Sequence, residues 1–74
     1  SLAFVPVSIE TSPVYDHNYI VGIDEDKKPH AIRLSETKRV IVLEQRIKIS
    51  KEMCESMDDH LDKIYEEEFK ECSE

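Results

Sequence analysis

The hydrophobic period of this chain changes at Ser50, and that change constrains its fold more than any other feature. Before Ser50, apolar and polar residues alternate, most clearly across residues 39–49, and alternation is typical of a strand with one buried face. After Ser50, apolar residues recur at steps of three and four, which is the pattern of an amphipathic helix. The sequence therefore predicts an α+β protein in which a small sheet is followed by a C-terminal helix.

The part before the period change, residues 1–49, is predicted to be a small antiparallel β-sheet or partial barrel. Four segments have strand composition and are separated by turn residues, namely residues 4–10, 18–23, 30–34 and 39–49. Pro6 indicates an edge or the start of a strand. Gly22, the only glycine, lies inside the second segment and indicates a bulge or a close approach of another backbone.

The second part, residues 50–74, is predicted to be an acidic amphipathic helix. Ser50 is a favourable N-cap, and Glu52 lies in the first turn, where the helix dipole favours acids. A helix from residue 51 to about residue 72 would be about 33 Å long, more than a four-stranded sheet of this size can cover. We therefore expect the far end of the helix to meet another chain, another domain or solvent, and the apolar stripe of the helix is the candidate partner interface. The stripe consists of Met53, Met57, Leu61, Ile64, Tyr65 and Phe69.

Charge is distributed unevenly in a chain whose net formal charge is −7. Lys and Arg are concentrated between residues 27 and 51, whereas the segments on either side are acidic. The overall acidity argues against tight, non-specific binding of duplex DNA, which requires many phosphate contacts. A local basic strip can still bind a short anionic ligand.

The sequence contains no pattern that indicates catalysis, a cofactor or a metal. Cys54 and Cys72 would lie about 27 Å apart on a straight helix, too far for a disulfide, and are expected to be free thiols. The histidines are scattered rather than spaced as zinc ligands, and there is no Gly-rich phosphate loop. The helical acids Glu55, Asp58, Asp59 and Asp62 are interpreted as a solvated face. Because no apolar run is long enough to span a bilayer, we expect a soluble, cytoplasmic protein. Because no catalytic pattern is present, we expect that it is not an enzyme.

The basic hairpin around residues 27–39 is the candidate ligand site. Arg33 alternates with Ile32 and Leu34 and should point away from their face. A guanidinium can hold a phosphate through two hydrogen bonds, and an aromatic ring offers a stacking surface for a base. Lysines on an edge hairpin can equally serve only solubility and block strand pairing. The candidate ligand-binding residues are Tyr19, His30, Arg33, Lys38 and Arg39, and the expected scaffold residues are Tyr19 or Ile20, Val21, Ile32 and Leu34.

The order of several of these residues resembles the later part of a WYL domain, over about residues 4–49. The residues are Pro6, the run Asn18-Tyr19-Ile20-Val21-Gly22, the run Ala31-Ile32-Arg33-Leu34, and then Val40 and Ile49. In that family a proline-bearing strand is followed by a Trp-Tyr-Leu strand, an Arg-Leu strand and a Val/Leu strand. Asn18 stands at the position of the family's Trp, and Glu36 stands where a second Arg is usual.

This resemblance implies an SH3-like or Sm-like β-barrel that belongs to a bacterial transcriptional regulator. Such domains sense a ligand, in some members single-stranded nucleic acid or nucleotides, and control an attached DNA-binding domain. Tyr19 and Arg33 match the motif, whereas Lys38 and Arg39 are only neighbouring bases. The barrel's first strand and a helix-turn-helix have no counterpart here, so we expect a C-terminal fragment of a regulator.

Three functions follow from these patterns and separate by experiment. The favoured one is a ligand-sensing, regulatory domain that binds a short anionic ligand through the basic hairpin. The second is a protein-interaction or oligomerisation module that acts through the apolar stripe of the C-terminal helix. The third is a nucleic-acid mimic that places its acidic helix on a basic protein surface.

Overall fold

The computed structural model of the protein describes residues 3–37 and 47–73, which form one sheet and one long helix. The elements in chain order are β1 (Val5–Thr11), β2 (Asn18–Ile23), β3 (Pro29–Arg33), a short 3₁₀ helix (Leu34–Glu36) and α1 (Lys51–Cys72). The strands are antiparallel, in the order β1-β2-β3. The predicted α+β class and C-terminal helix are therefore confirmed.

The predicted fourth strand, residues 39–49, falls mainly outside the described residues. Its last three positions, residues 47–49, are described and do not form a strand. Among residues 3–37 and 47–73 the sheet is open and has three strands, so an SH3-like or Sm-like barrel is not confirmed.

Gly22 allows β1 and β2 to approach closely. The register between them shifts between Pro6 and Ser8, opposite Gly22, which makes a β-bulge in the edge strand. A Cβ atom on Gly22 would lie within 3.0 Å of the Val5 carbonyl and of the Phe4 ring. Both sequence predictions, the edge position of Pro6 and the close backbone approach at Gly22, are confirmed.

Local side-chain hydrogen bonds set the turn between β2 and β3 and the start of α1. Asp24 Oδ1 accepts hydrogen bonds from the backbone N–H groups of Asp26 (2.8 Å) and Lys28 (2.9 Å), while Lys27 adopts a φ of 63°. At the helix start, Ser50 Oγ accepts a hydrogen bond from the Met53 N–H at 3.1 Å, as an N-cap should.

The core lies between β2 and α1. Tyr19, Val21 and Ile23 alternate along β2 and pack against Met57 and Leu61, which are one helical turn apart. Ala31, Met53, Ile64 and Tyr65 are partly buried around this cluster. The core is small, and it joins the central strand to the middle of the helix.

The helix-facing side of β3 is the side that carries Arg33, not Ile32. Residues directly opposite each other in an antiparallel pair point to the same face, and Arg33 is paired with Tyr19 whereas Ile32 is paired with Ile20. The expected scaffold role of Leu34 is wrong, because Leu34 leaves the sheet in the 3₁₀ helix and is 43% exposed. Ile32 is half-buried on the far face of the sheet.

The apolar stripe of α1 is used largely within the chain. Met57 and Leu61 are buried in the core of the chain and are not exposed to a partner. Met53, Ile64 and Tyr65 are partly buried against this core, and their role in a partner interface stays a prediction. Phe69 is different, since it is 68% exposed. No helix in the described part of the chain is long and apolar enough to cross a membrane.

Candidate ligand-binding groove

An open groove of about 440 Å³ runs between the sheet and the C-terminal half of α1. Its volume is in the range of small-molecule sites. Residues from the β1–β2 loop, β2, β3 and α1 line it, so the fold itself brings together parts of the chain that are distant in sequence. They are Tyr15, His17, Tyr19, Arg33, His60, Lys63, Ile64, Glu67, Glu68 and Glu71.

Two of the residues predicted to bind a ligand, Tyr19 and Arg33, meet in this groove. They form a cross-strand pair on the face of the sheet that looks toward α1. Arg33 Nη1 lies 3.8 Å from Glu36 Oε1, an exposed pair of modest strength. Arg33 Nε is buried and has no hydrogen-bond partner among the described residues. The Arg33 side chain as a whole is 38% exposed, so the outer guanidinium nitrogens can donate hydrogen bonds to an acceptor on a ligand.

Glu68 is a buried carboxylate on which three side chains converge. It is 6% exposed and accepts hydrogen bonds from the hydroxyls of Ser12 and Tyr19, one on each carboxylate oxygen. His17 Nδ1 lies 3.6 Å from Oε1, too long for a hydrogen bond. Glu68 therefore ties the C-terminal half of α1 to β2 and to the β1–β2 loop.

Glu68 and its two hydroxyl donors, Ser12 and Tyr19, form a polar hub. Within it the pKa of Glu68 is lowered and the pKa of Tyr19 is raised. Burial raises the pKa of Glu68, but the hydrogen bonds from Ser12 and Tyr19 and the nearby His17 outweigh it, so the pKa lies below its ordinary value. Burial, the hydrogen bond to Glu68 and its negative charge raise the pKa of Tyr19 to about 12. At neutral pH the carboxylate is thus ionised and the phenol is a hydrogen-bond donor.

The loop between β1 and β2 is organised around Ser12. Its Oγ accepts hydrogen bonds from the backbone N–H groups of Val14 (3.1 Å) and Tyr15 (3.3 Å) while its hydroxyl proton is donated to Glu68. The Ser12 N–H also donates to the His17 carbonyl at 2.8 Å. This arrangement fixes Tyr15 and His17 at the rim of the groove.

Tyr15 is the exposed aromatic ring of the groove. It is 38% exposed, and its ring centroid lies 5.2 Å from that of His17 at an angle of 34°. Tyr15 lines the groove together with Glu68 and Glu71 of α1. Partial burial and the negative charges near it raise the pKa of the Tyr15 hydroxyl. Tyr19, predicted to stack with a ligand base, is instead buried, with its ring edge-on to Tyr65 at 6.3 Å.

Charge is graded along the groove. His60 and Lys63 precede the acidic lining residues along α1, and Arg33 is contributed by β3. Glu67 and Glu71 line the part nearer the C-terminus of α1. Lys63 and Glu71 are about 12 Å apart along the helix axis. Along α1 the groove lining therefore has a basic portion at Lys63 and an acidic portion at Glu67 and Glu71.

His30, another predicted ligand residue, is not among the residues that line this groove. His30 is paired with Gly22 on the far face of the sheet, where its Nε2 lies 2.6 Å from Asp24 Oδ2 and its ring stacks on Phe4 at 5.5 Å. The hydrogen bond to His30, with backbone N–H donors, lowers the pKa of Asp24. Lys38 and Arg39 lie outside the described residues.

A second depression surrounds the start of α1. Lys27, Lys48 and Lys51 line it together with Ser50, whose hydroxyl oxygen already accepts the Met53 N–H. This depression shares no lining residue with the groove, so its lysines provide a control region for binding experiments. Within residues 3–37 and 47–73, no group of three His, Cys, Asp or Glu side chains could hold a metal ion.

Sequence reasoning missed Glu68, Ser12 and Tyr15. For Glu68 a signal exists, because it follows Leu61 and Ile64 at helical spacing and so lies on the apolar stripe rather than on the solvated face. A carboxylate on a buried stripe requires hydrogen-bond donors, which indicates polar residues opposite it. The identity of those donors, Ser12 and Tyr19, depends on how the sheet packs on the helix and is not readable from spacing.

Comparison with protein-family models, with curated proteins and with solved structures found no match to this chain. The resemblance to WYL domains therefore remains a prediction from the residues that carry it.

Proposed function

We propose that this chain is a non-catalytic ligand-sensing domain of a bacterial, cytoplasmic transcriptional regulator, and that it binds a short anionic ligand in the groove between the sheet and α1. The ligand class is a nucleotide or a short single-stranded nucleic acid. The observation that carries the proposal is the position of Arg33. Its side chain is 38% exposed and lines the groove that Lys63 and His60 also line, and its Nε lacks an acceptor in the described part of the chain.

The charges of the groove support a short ligand rather than a long strand. Arg33 and Lys63 attract a phosphate group, whereas Glu67 and Glu71 would repel further phosphates placed along the groove. The net charge of −7 acts in the same direction. A mononucleotide, with one phosphate group, satisfies the basic portion without bringing a second phosphate near the acids.

The contact from Arg33 to α1 offers a route for sensing. Arg33 is paired with Tyr19, and Tyr19 donates its hydroxyl proton to Glu68 on α1. A ligand that binds Arg33 would therefore act on its neighbour Tyr19, whose hydrogen bond to Glu68 joins the helix to the sheet. In a regulator, a change in this contact would be passed to the attached DNA-binding domain.

The proposal is tested by fluorescence anisotropy with a short labelled DNA or RNA single strand and with unlabelled mononucleotides as competitors. We expect saturable binding that weakens as salt is raised and is lost in Arg33→Ala. Lys48→Ala is the matched control, because it removes the same charge from the exposed depression at the start of α1. Absence of binding at low salt, or equal loss in both variants, would contradict a site at Arg33.

A second candidate function is an interaction through α1, and exposed Phe69 is the observation that favours it. A large aromatic ring with two-thirds of its surface in water is a typical anchor for a partner pocket. This function predicts an oligomer in light scattering that Phe69→Asp converts to a monomer. A monomeric wild-type chain would leave only an attached domain as the partner of this residue.

A further inference from the structure

Resting on the proposed function, we propose that the groove selects nucleotides whose base carries an exocyclic amino group. The phosphate would lie at Arg33 and Lys63, and the base would stack on Tyr15 with its amino group toward Glu71. Cytosine and adenine present such an amino group, whereas uracil presents a carbonyl oxygen at the corresponding position. The placement of these four residues along one groove carries the inference.

The position of the phosphate is inferred from the cationic side chains in the groove lining that form no strong ion pair. Arg33 has only a long contact with Glu36 and an unsatisfied Nε, so its guanidinium can donate to a phosphate oxygen without breaking a strong ion pair. Lys63 lines the same groove and makes no ion pair with any residue that the structure describes. Arg33 and Lys63 are therefore the two cations in the groove lining to which the phosphate is assigned.

The position of the base is inferred from the exposed aromatic ring in the groove lining, which is that of Tyr15. Tyr19 is buried under Glu68 and cannot present a face, whereas Tyr15 is partly exposed beside His17. Stacking of a base on an exposed aromatic ring contributes affinity and tolerates any base. Tyr15 therefore provides affinity without selectivity, and selectivity must come from a hydrogen-bonding group next to it.

Glu71 is the carboxylate that is available to read the base. Both oxygens of Glu68 already accept hydrogen bonds, and Glu67 lies 3.7 Å from Lys70. Glu71 lines the groove beside Tyr15 and has no ion pair within residues 3–37 and 47–73. A carboxylate accepts hydrogen bonds and donates none when ionised, so it attracts an amino group and repels a carbonyl oxygen.

The dimensions agree with a mononucleotide. Lys63 and Glu71 are about 12 Å apart along the axis of α1. That gap is comparable to the distance between the phosphate and the far edge of the base in an extended nucleotide. A longer strand would place additional phosphates against Glu67 and Glu71.

The test is the affinity of the full chain for cytidine monophosphate and uridine monophosphate, measured by isothermal titration calorimetry at low salt. These ligands have the same size and charge and differ only on one edge of the base, where cytosine has an amino group beside an acceptor N3 and uracil has a carbonyl oxygen beside a donor N3–H. We expect cytidine monophosphate to bind about tenfold more tightly. In Glu71→Gln the preference should fall to about one, because an amide can donate as well as accept. Glu66→Gln, which neutralises an exposed acid outside the groove, should keep the preference.

The outcomes separate this inference from the proposed function. Equal affinity of the wild-type chain for the two nucleotides, with binding still lost in Arg33→Ala, would overturn base selection and leave the anion site standing. A preference that survives in Glu71→Gln would overturn the role of Glu71. If neither nucleotide bound, both the inference and the proposed function would fall. Glu71 is exposed, so its substitution should leave the far-UV circular dichroism unchanged.

Discussion

Tyr19 in the central strand donates its hydroxyl proton to the carboxylate of Glu68 near the end of α1, and both groups are buried. This contact joins residues that are far apart in the sequence. It stands beside Arg33, the cross-strand neighbour of Tyr19, so the packing of the helix and the candidate ligand groove share one polar centre.

Replacing Glu68 by Gln should destabilise the protein by about 1–3 kcal/mol. The amide keeps the shape of the side chain but turns one acceptor into a donor, which then faces a hydroxyl group of Ser12 or Tyr19. Urea unfolding followed by circular dichroism measures the effect. Glu67→Gln is the matched control, because it makes the same chemical change on an exposed neighbour and should cost little. Equal stability of the two variants would contradict the hub.

The stabilising effect of Glu68 should disappear in acid. Its pKa in the folded protein is below its ordinary value of 4.5, despite burial, because of the hydrogen bonds from Ser12 and Tyr19. A group with a lowered folded-state pKa contributes fully above its unfolded-state pKa and loses that contribution as the pH falls through the folded-state pKa. The difference in unfolding free energy between wild type and Glu68→Gln should therefore be constant near neutral pH and shrink below pH 4.5. A difference in unfolding free energy that grows as the pH falls would contradict a lowered pKa of Glu68 in the folded protein.

Gly22→Ala should destabilise the sheet by about 2 kcal/mol or more. The added methyl group would meet the carbonyl of Val5 and the ring of Phe4, and a backbone carbonyl in a paired strand cannot move aside without disturbing the β1–β2 register. Thermal unfolding measures the loss. Ser35→Ala, at an exposed position outside the sheet, should unfold at nearly the wild-type temperature. A wild-type melting temperature for Gly22→Ala would mean that β1 and β2 do not approach closely at this position.

Substitutions at Leu61 and Phe69 should distinguish the part of α1 that stabilises the fold from the part that is exposed to a partner. Leu61→Ala should cost about 2–5 kcal/mol, because Leu61 packs between the helix and β2, whereas Phe69→Ala should change stability by less than about 0.5 kcal/mol. Chemical unfolding of the two variants tests this difference. A large, concentration-dependent loss of stability in Phe69→Ala would instead identify Phe69 as part of an interface between copies.

Residue patterns predicted the elements well because each depends on local chemistry. The helix begins after Ser50 and ends at Cys72, since the N-cap, the first-turn acid and the apolar repeat all act within a few residues. The second strand is also confirmed, as is the constraint at Gly22. These features need no knowledge of how the elements pack.

The faces of the elements were harder to predict because they depend on packing. Ile32 and Leu34 have the composition of core residues, yet the helix covers the other side of β3, where Arg33 lies. Because the helix covers this face, Tyr19 and Arg33 lie side by side beneath it, whereas His30 lies on the opposite face of the sheet. This packing also explains why Tyr19 is a hydrogen-bond donor to Glu68 rather than a stacking platform.

The central claim is that the groove beside Arg33 binds a short anionic ligand, and the most direct test is a titration of the full chain with cytidine monophosphate followed by amide chemical shifts in NMR. We predict saturable shifts at Arg33, at Tyr15 and along α1 from His60 to Glu71, and their loss in Arg33→Ala. Saturable shifts confined to the depression at Lys27, Lys48 and Lys51, or no saturable shifts at low salt, would contradict the claim.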